Sequence, residues 1–266
     1  MSSIISTFDA VAGGYDSPNM RFFPFAADLL AAKAKIFGRQ KILDVAAGTG
    51  MVSIAAAQMA STGRVMAIDL SAGMLAKAEV NCRKMALTNI DYFEMDGQDV
   101  EFKRNYFDHV LCGFGLFFFS DIQKGLLSWK RVMKPGAKVG FSSFLPSSFS
   151  PMAELFITRL QAYGYAKDFE VAQKLDSVEK CEQTLSSAGF ENIQISQQSM
   201  GYHIATGRDW WDVVWNTALR SLLDNLSDDE LERFQVEHMA EVEALAVADG
   251  IYLPVDVLFS FAEKPD

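Results

Sequence analysis

Cysteine and histidine are scarce in this chain, with three of each among 266 residues. Cys82, Cys112 and Cys181 stand far apart, at no spacing that suits a metal or a redox pair. No metal centre or disulfide framework is expected, and the three read as small apolar residues of a reducing compartment. Basic residues are outnumbered too: 24 Lys and Arg against 34 Asp and Glu give a formal net charge of -10. No Lys/Arg run offsets that balance, so nucleic acid is not an expected partner. No apolar stretch reaches the length of a membrane span. The opening Met1-Ser2-Ser3-Ile4-Ile5 lacks the parts of a secretory signal, which points to the cytoplasm. Repeats and low-complexity tracts are missing. Half of the residues are hydrophobic, enough for one α/β domain with insertions over 1–266.

The stretch Lys41–Gly50 organises the rest. A short apolar strand, Lys41–Val45, runs into Ala46-Ala47-Gly48-Thr49-Gly50, and a small-residue helix follows from Met51. Gly48 and Gly50 permit a tight turn and close approach of a ligand, and the helix start offers free N–H donors. Arg64–Ile68 reads as a second strand, ending in Asp69 nineteen residues past Gly50. An acid at that tip is placed to accept from ribose hydroxyls. Ile90–Met95 leads to Asp96 and Gly97, Phe107–Phe114 passes through Cys112, and Val139–Phe144 forms a fifth strand after the turn at Lys134–Gly136. Strands alternate with helices, so the pattern predicts a parallel sheet with its ligand at the carboxyl ends of the strands. Ser71 and Ser120 are placed to cap the helices that follow them.

These pieces resemble the class I S-adenosylmethionine-dependent methyltransferases, and most of all the ubiquinone/menaquinone C-methyltransferase group. The matching residues are Phe8-Asp9, Tyr15-Asp16, Asn19, the Asp44–Gly50 loop, Asp69, Asp96, Phe114-Gly115-Leu116, Asp121 and the Val132–Gly136 turn. The resemblance implies a Rossmann-like sandwich: a mostly parallel seven-stranded sheet, helices on both faces and a last strand, Val255–Phe261, running antiparallel. It implies S-adenosyl-L-methionine as cofactor. Asp44 would orient the loop, Gly48 and Gly50 pass close to the ligand, and Asp69 hold the ribose with Leu70 and Met74 beside the adenine. Asp96, with Gly97, would accept from the adenine amino group; Cys112 and Phe114 close the fourth strand beside it. Tyr15 either reaches the methionine portion or merely packs. Two departures stand out. Ala46 replaces the group's usual glycine, which is tolerable if its φ stays negative. Phe117 and Phe118 stand where the quinone group has an arginine and an asparagine, which puts a quinol acceptor in doubt.

The resemblance fades after Phe144. A helical segment over 1–38 precedes the core at 39–144, with its second helix expected from Pro24 to Gly38. Helical insertions at 145–176 and 205–250 then read as an acceptor cap, as packing helices, or as a homodimer contact rich in tryptophan. Ser227-Asp228-Asp229-Glu230 is a capping box. Sulfonium methyl transfer is an in-line displacement that needs alignment and dryness but no metal. A general base helps some acceptors. His109 lies inside a strand, His203 near the expected pocket mouth, and His238 on an apolar helix face, where it is the candidate base. Phe117, Phe118 and Trp211 are the candidate acceptor contacts. The expected reaction is methyl transfer to a small, largely apolar or aromatic molecule at carbon, oxygen or nitrogen. A nicotinamide-dependent oxidoreductase is the rival enzyme, weakened by Ser53 at the third fingerprint glycine. A non-catalytic cofactor-binding protein is the rival outside catalysis.

Overall fold

The structure, a computed structural model, describes residues 2–165 and 170–266. Apolar runs, broken only by Asp44, make the central strands: Ile42–Val45, Val65–Ile68 and Val110–Cys112 are buried throughout. That is the signature of strands covered on both faces. The strands are β1 (Lys41–Val45), β2 (Arg64–Asp69), β3 (Ile90–Glu94), β4 (Phe107–Gly113), β5 (Met133–Phe144), β6 (Glu191–Ser199) and β9 (Asp256–Glu263). They form one sheet in the order β3-β2-β1-β4-β5-β9-β6. β1 to β5 pair in parallel, whereas β9 runs antiparallel between β5 and β6. The sheet carries helices on both faces. Chain order reverses between β1 and β4, which leaves the crevice where ligands bind in open sheets.

Local chemistry sets the helices. α1 (Ser2–Val11) and α2 (Phe22–Ala34) precede β1; α3 (Met51–Met59), α4 (Ala72–Lys84) and α5 (Ile122–Val132) connect the parallel strands. Ser71 caps α4 by accepting from the Met74 N–H at 3.0 Å. Ser120 does not cap α5. Its hydroxyl is spent on Gln98, and Asp121 accepts from the Lys124 N–H instead. α2 begins two residues before Pro24, which keeps the proline in the first turn where its missing N–H costs nothing. It ends at Lys35 in the left-handed region, ahead of Gly38. The turn at Lys134–Gly136 survives as an irregularity inside β5, between the Phe107–Met133 and His109–Lys138 pairs.

The segments outside the core pack on one another. α6 (Met152–Ala162) lies on α9 (Asp228–Glu243), and α8 (Gly207–Trp215) lies on α9 as well. Arg159 of α6 is held by Glu237 and Glu241 of α9. α9 opens with the expected capping box of Ser227 and Glu230. Residues 205–250 are bracketed by a small antiparallel pair, β7 (Tyr202–Ile204) with β8 (Ile251–Leu253); β8 was not foreseen. α7 (Val178–Ser187) packs on β6 and β9. Trp210 and Trp211 are buried inside this chain. Trp215, the third tryptophan of α8, is half-buried and stacks on Trp211.

Candidate functional site

β1 delivers Asp44 fully buried to the start of the loop. Its Oδ2 accepts from Ser53 Oγ at 2.6 Å, and its Oδ1 is buried with no partner among the described residues. Burial pushes this carboxyl up to about 7; the Ser53 bond opposes the rise and the charge of Asp69 adds to it. Ser53, which counted in the sequence only against a dinucleotide fingerprint, is thus the residue that fixes Asp44. Its spacing, one helical turn into α3, was the available signal. Asp69 ties two turns together: it accepts from the Gly48 N–H at 2.8 Å and from the Ser71 N–H at 2.9 Å. Burial raises its pKa, against the pull of those backbone donors. Each carboxylate oxygen keeps a second lone pair, so the pair can still accept from a vicinal diol.

The loop itself is left-handed at three places. Gly48 (φ 55°) has open space where a side chain would stand, and Gly50 (φ 87°) needs its hydrogen because a Cβ would lie 2.9 Å from that of Ala78. Ala46 has φ 53°, so the condition set for tolerating it is not met and the alanine is strained. Phe114, at the exit of β4, is also left-handed at φ 54°.

The N-terminal segment closes over this corner. Asp9 accepts from Ser71 Oγ and from the Gly73 N–H, and Asp16 accepts from Asn81 Nδ2 at 2.7 Å. Val11, Ala12 and Met74 form a small buried cluster with Phe8 and Tyr15 against it. The Tyr15 ring stacks on Phe23 with centroids 4.8 Å apart. Burial, then the charges of Asp69 and Asp16, keep its phenol protonated.

Next to Tyr15 opens a cavity of about 510 Å³. The N-terminal segment supplies Phe8, Tyr15, Phe22 and Phe23; the turn after β4 supplies Phe114, Phe117 and Phe118. Phe144, Phe149 and Phe156 continue the wall, and Val213 with Thr217, Ala218 and Leu219 completes it. Phe118 meets Phe8 edge-on at 5.3 Å, and Phe114 stacks on Phe144 at 4.3 Å. Polar side chains also line it: Glu154, Thr158, Gln161, Gln173 and Asp176, the last paired with Lys180 at 2.7 Å. No Lys or Arg lines the cavity among the described residues.

The expected residues therefore divide. Tyr15, Phe114, Phe117 and Phe118 line the cavity, and Asp44, Gly48, Gly50 and Asp69 form the corner beside it. Phe119 is core, set edge-on to Trp129. Leu70 and Asp96 are half-buried at the ends of β2 and β3, with Asp96 accepting from the Gln98 N–H at 2.8 Å. Gly97 is a packing position: its carbonyl accepts from Trp129 Nε1 at 2.7 Å, and a side chain would strike Val45 and Phe119. Cys112 is wholly buried beside the Gly115 backbone and supports the loop from behind. Two expectations fail. Trp211 faces a separate shallow hollow with Arg208, Trp215 and Gln235, because α8 turns its Val213 side to the cavity. His238 is fully buried and lines neither hollow; its Nε2 accepts from Trp210 Nε1 at 2.8 Å. Its Nδ1 stands 3.5 Å from Glu241, and burial pulls its pKa down to about 4. A lone pair already spent on an indole cannot take an acceptor's proton. His203 is exposed on β7, beside Tyr252.

Among the described residues no His/Cys/Asp/Glu group could hold a metal ion, and no helix is long and apolar enough to cross a membrane. The family model described as the ubiE/COQ5 methyltransferase family matches residues 6–208. A demethylmenaquinone methyltransferase of Clavibacter sepedonicus is 30% identical over 213 residues, covering 72% of this chain and 83% of that protein. A ubiquinone/menaquinone biosynthesis C-methyltransferase of Francisella philomiragia is 28% identical over 218 residues, 74% of this chain and 87% of its own. Among solved structures, the YcgJ protein of a Bacillus species superposes with a TM-score of 0.61 at 16% identity, over 91% of this chain and 99% of that one. The nicotinamide reading finds no support in this company. The glycine loop on β1, Asp69 on β2 and a match across most of the chain have one explanation: the chain belongs to the ubiE/COQ5 methyltransferase family and is an S-adenosylmethionine-dependent methyltransferase.

Proposed function

We propose that the enzyme methylates a small, largely apolar or aromatic molecule held in the phenylalanine-lined cavity beside Tyr15. The observation that carries this reading is the lining itself: mostly aromatic and aliphatic side chains, fewer polar ones and no Lys or Arg among the described residues. Such walls bind flat or apolar molecules and leave a carboxylate or phosphate without a partner. The volume suits a molecule of that kind. The segments 145–165, 170–176 and 205–250 act as an acceptor cap, since each contributes to the wall.

The corner fits the cofactor. Asp44 Oδ1 is an unpartnered buried oxygen beside a loop that is open at Gly48. The surrounding carboxylates of Asp9, Asp16, Asp44 and Asp69 complement a cationic ligand. Asp69 would hold the ribose hydroxyls, Leu70 and Met74 would border the adenine, and Asp96 would accept from its amino group. Gly48, Gly50 and Ala46 would let the loop pass close to the ligand, and Tyr15 and Phe114 would separate it from the acceptor. S-adenosylmethionine, when bound, supplies an electrophilic methyl on sulfur. The chain's own work is to align the acceptor with that methyl and to exclude water.

Transfer of tritiated methyl from S-adenosylmethionine tests the reading. Label is expected in neutral phenols, aromatic amines or isoprenoid-substituted rings, with S-adenosylhomocysteine released in step. A phosphorylated or dicarboxylic molecule as best acceptor would overturn the view of the cavity. Binding without release for every acceptor would favour the non-catalytic alternative.

A further inference from the structure

Residues 9–21 cross the site as a strap anchored at two ends. At the cofactor end, Asp9 receives Ser71 Oγ and the Gly73 N–H, while Asp16 receives Asn81 Nδ2 and has Lys77 Nζ 3.6 Å away. Asn81 also donates to the Thr49 carbonyl at 3.0 Å, which ties this anchor to the glycine loop. At the other end Tyr202 Oη donates to the Asn19 carbonyl at 2.5 Å and Arg21 to the His203 carbonyl at 3.1 Å, and the side-chain anchor is Asp212 of α8. Its Oδ2 accepts from Ser17 Oγ and from Asn19 Nδ2 at 3.1 Å, and Asn19 donates to Asp209 as well, at 3.2 Å. Its Oδ1 accepts from Asn216 Nδ2 at 2.7 Å. The Asn216 amide then fills the space that a side chain at Gly14 would need. The donors to Asp212 are all neutral, so its charge strengthens each bond.

Tyr15, the residue that borders both the corner and the cavity, stands between Asp9 and Asp16, two residues before the far anchor begins at Ser17. The strap and its flanks bring Phe8, Tyr15, Phe22 and Phe23 to the cavity; the neighbourhood of Asp212 brings Val213 and Leu219. Asp212 therefore joins two parts of the acceptor wall, and the strap joins that wall to the loop that would hold the cofactor.

We propose that Asp212 is a positioning residue that makes cofactor and acceptor binding interdependent. This rests on the assignment of corner and cavity given above. Cofactor at the corner favours the strap in its seated position. The seated strap completes the cavity, so cofactor raises acceptor affinity, and the acceptor raises cofactor affinity by the same factor. Without Asp212 the cofactor still orders the near end of the strap, but the far end no longer answers.

The test uses S-adenosylhomocysteine for the corner and N-phenyl-1-naphthylamine, a neutral aromatic dye that brightens in apolar sites, for the cavity. The dye is titrated with and without saturating S-adenosylhomocysteine, into wild type, Asp212→Ala and Asn19→Ala. In wild type, S-adenosylhomocysteine is expected to tighten dye binding at least about fivefold, the lower end of ordinary coupling. In both variants each ligand should bind alone nearly as well as before, while the coupling factor falls towards one. Asn19→Ala removes one of the strap's two donors to Asp212 and leaves α8 intact, so it carries the test if Asp212→Ala fails to fold. A merely structural seam would lower the melting temperature and leave the coupling in place. Wild-type coupling in the variants, no coupling in wild type, or loss of both single affinities in Asn19→Ala would each overturn the proposal. Failure of wild type to bind S-adenosylhomocysteine or the dye alone would strike the corner or the cavity assignment respectively, and the proposal with it.

Discussion

Around Gly48 the binding groups are backbone N–H donors and carboxylates; across Tyr15 they are ring carbons. The corner is made from short contiguous pieces, 44–53 and 69–71, whose polar atoms are fixed by one another. The cavity is gathered from well-separated stretches of chain between Phe8 and Leu219, and its rings meet one another by packing. A shared cofactor demands fixed polar geometry, so its site is conservative in structure and intolerant of small changes. An acceptor cavity of apolar contacts is tuned by size and shape, and single changes in it are absorbed more gently.

The sharpest way to separate the two regions is Asp69→Ala. It should weaken S-adenosylhomocysteine binding by about 1.5–3 kcal/mol, the scale of hydrogen bonds to a charged group. Binding of neutral aromatic dye alone should stay as it was. Calorimetry that finds unchanged cofactor affinity would remove Asp69 from the ribose role.

The corner and the α8–α9 packing outside the cavity titrate in opposite senses. Burial raises Asp44 from 3.8 to about 7, so its contribution to stability is full below pH 3.8 and is lost as pH rises through about 7. Burial lowers His238 from 6.5 to about 4, so its contribution is full above pH 6.5 and is lost as pH falls through about 4. Asp44→Asn should therefore flatten the loss of melting temperature on the rising side, and His238→Ala the loss on the acid side. His238→Ala also strands the Trp210 indole N–H in the interior, at a cost of about 1–3 kcal/mol. Methyl transfer by the folded variant should persist at every pH. A selective loss of turnover without loss of stability would restore His238 as a base.

Within the cavity, Phe118→Ala should cost less. The ring is half-buried, so folding is largely spared, and it meets Phe8 edge-on. Acceptor affinity should fall by about 0.5–1.5 kcal/mol, the worth of one aromatic contact. Cofactor affinity should not change. Trp211→Ala, outside the cavity, is the control and should leave both affinities alone; a larger effect from Trp211 than from Phe118 would put the acceptor elsewhere.

The contrast between the regions also explains what could be read in the sequence. Strands β1 to β5 and the corner were legible because apolar runs, glycines and terminal acids follow one another at short range. The antiparallel last strand came from the family resemblance. The left-handed φ of Ala46 and Phe114 was not legible, since neither residue type announces it. The cap of α5 was misassigned to Ser120 because a side chain's long-range partner, here Gln98, leaves no local trace. His238 and Trp211 were misplaced for a related reason. An apolar helical stripe says that a face is buried, but not whether it meets a cavity or a neighbouring helix. Asp212 carries no sequence signal, because its partners Ser17 and Asn19 lie 195 and 193 residues away.

The smallest expected effect probes the corner from within. Ala46 sits at φ 53°, where an L-residue pays roughly 1–2 kcal/mol relative to the right-handed region. Glycine pays no such cost, although its unfolded chain is freer by about 0.5–1 kcal/mol. Ala46→Gly should therefore stabilise the protein by roughly 0.5–1 kcal/mol, read as a higher urea midpoint at unchanged slope. Against this stands the Ala46 methyl, which lies so close to Gly115 that a side chain there would strike it. If that contact positions the turn carrying Phe114, the glycine variant will be no more stable and its affinity for S-adenosylhomocysteine will drop. A gain in stability with unchanged affinity would mean that the alanine is plain strain in the corner. A loss of both would mean that the corner, like the cavity, is held in part by apolar packing.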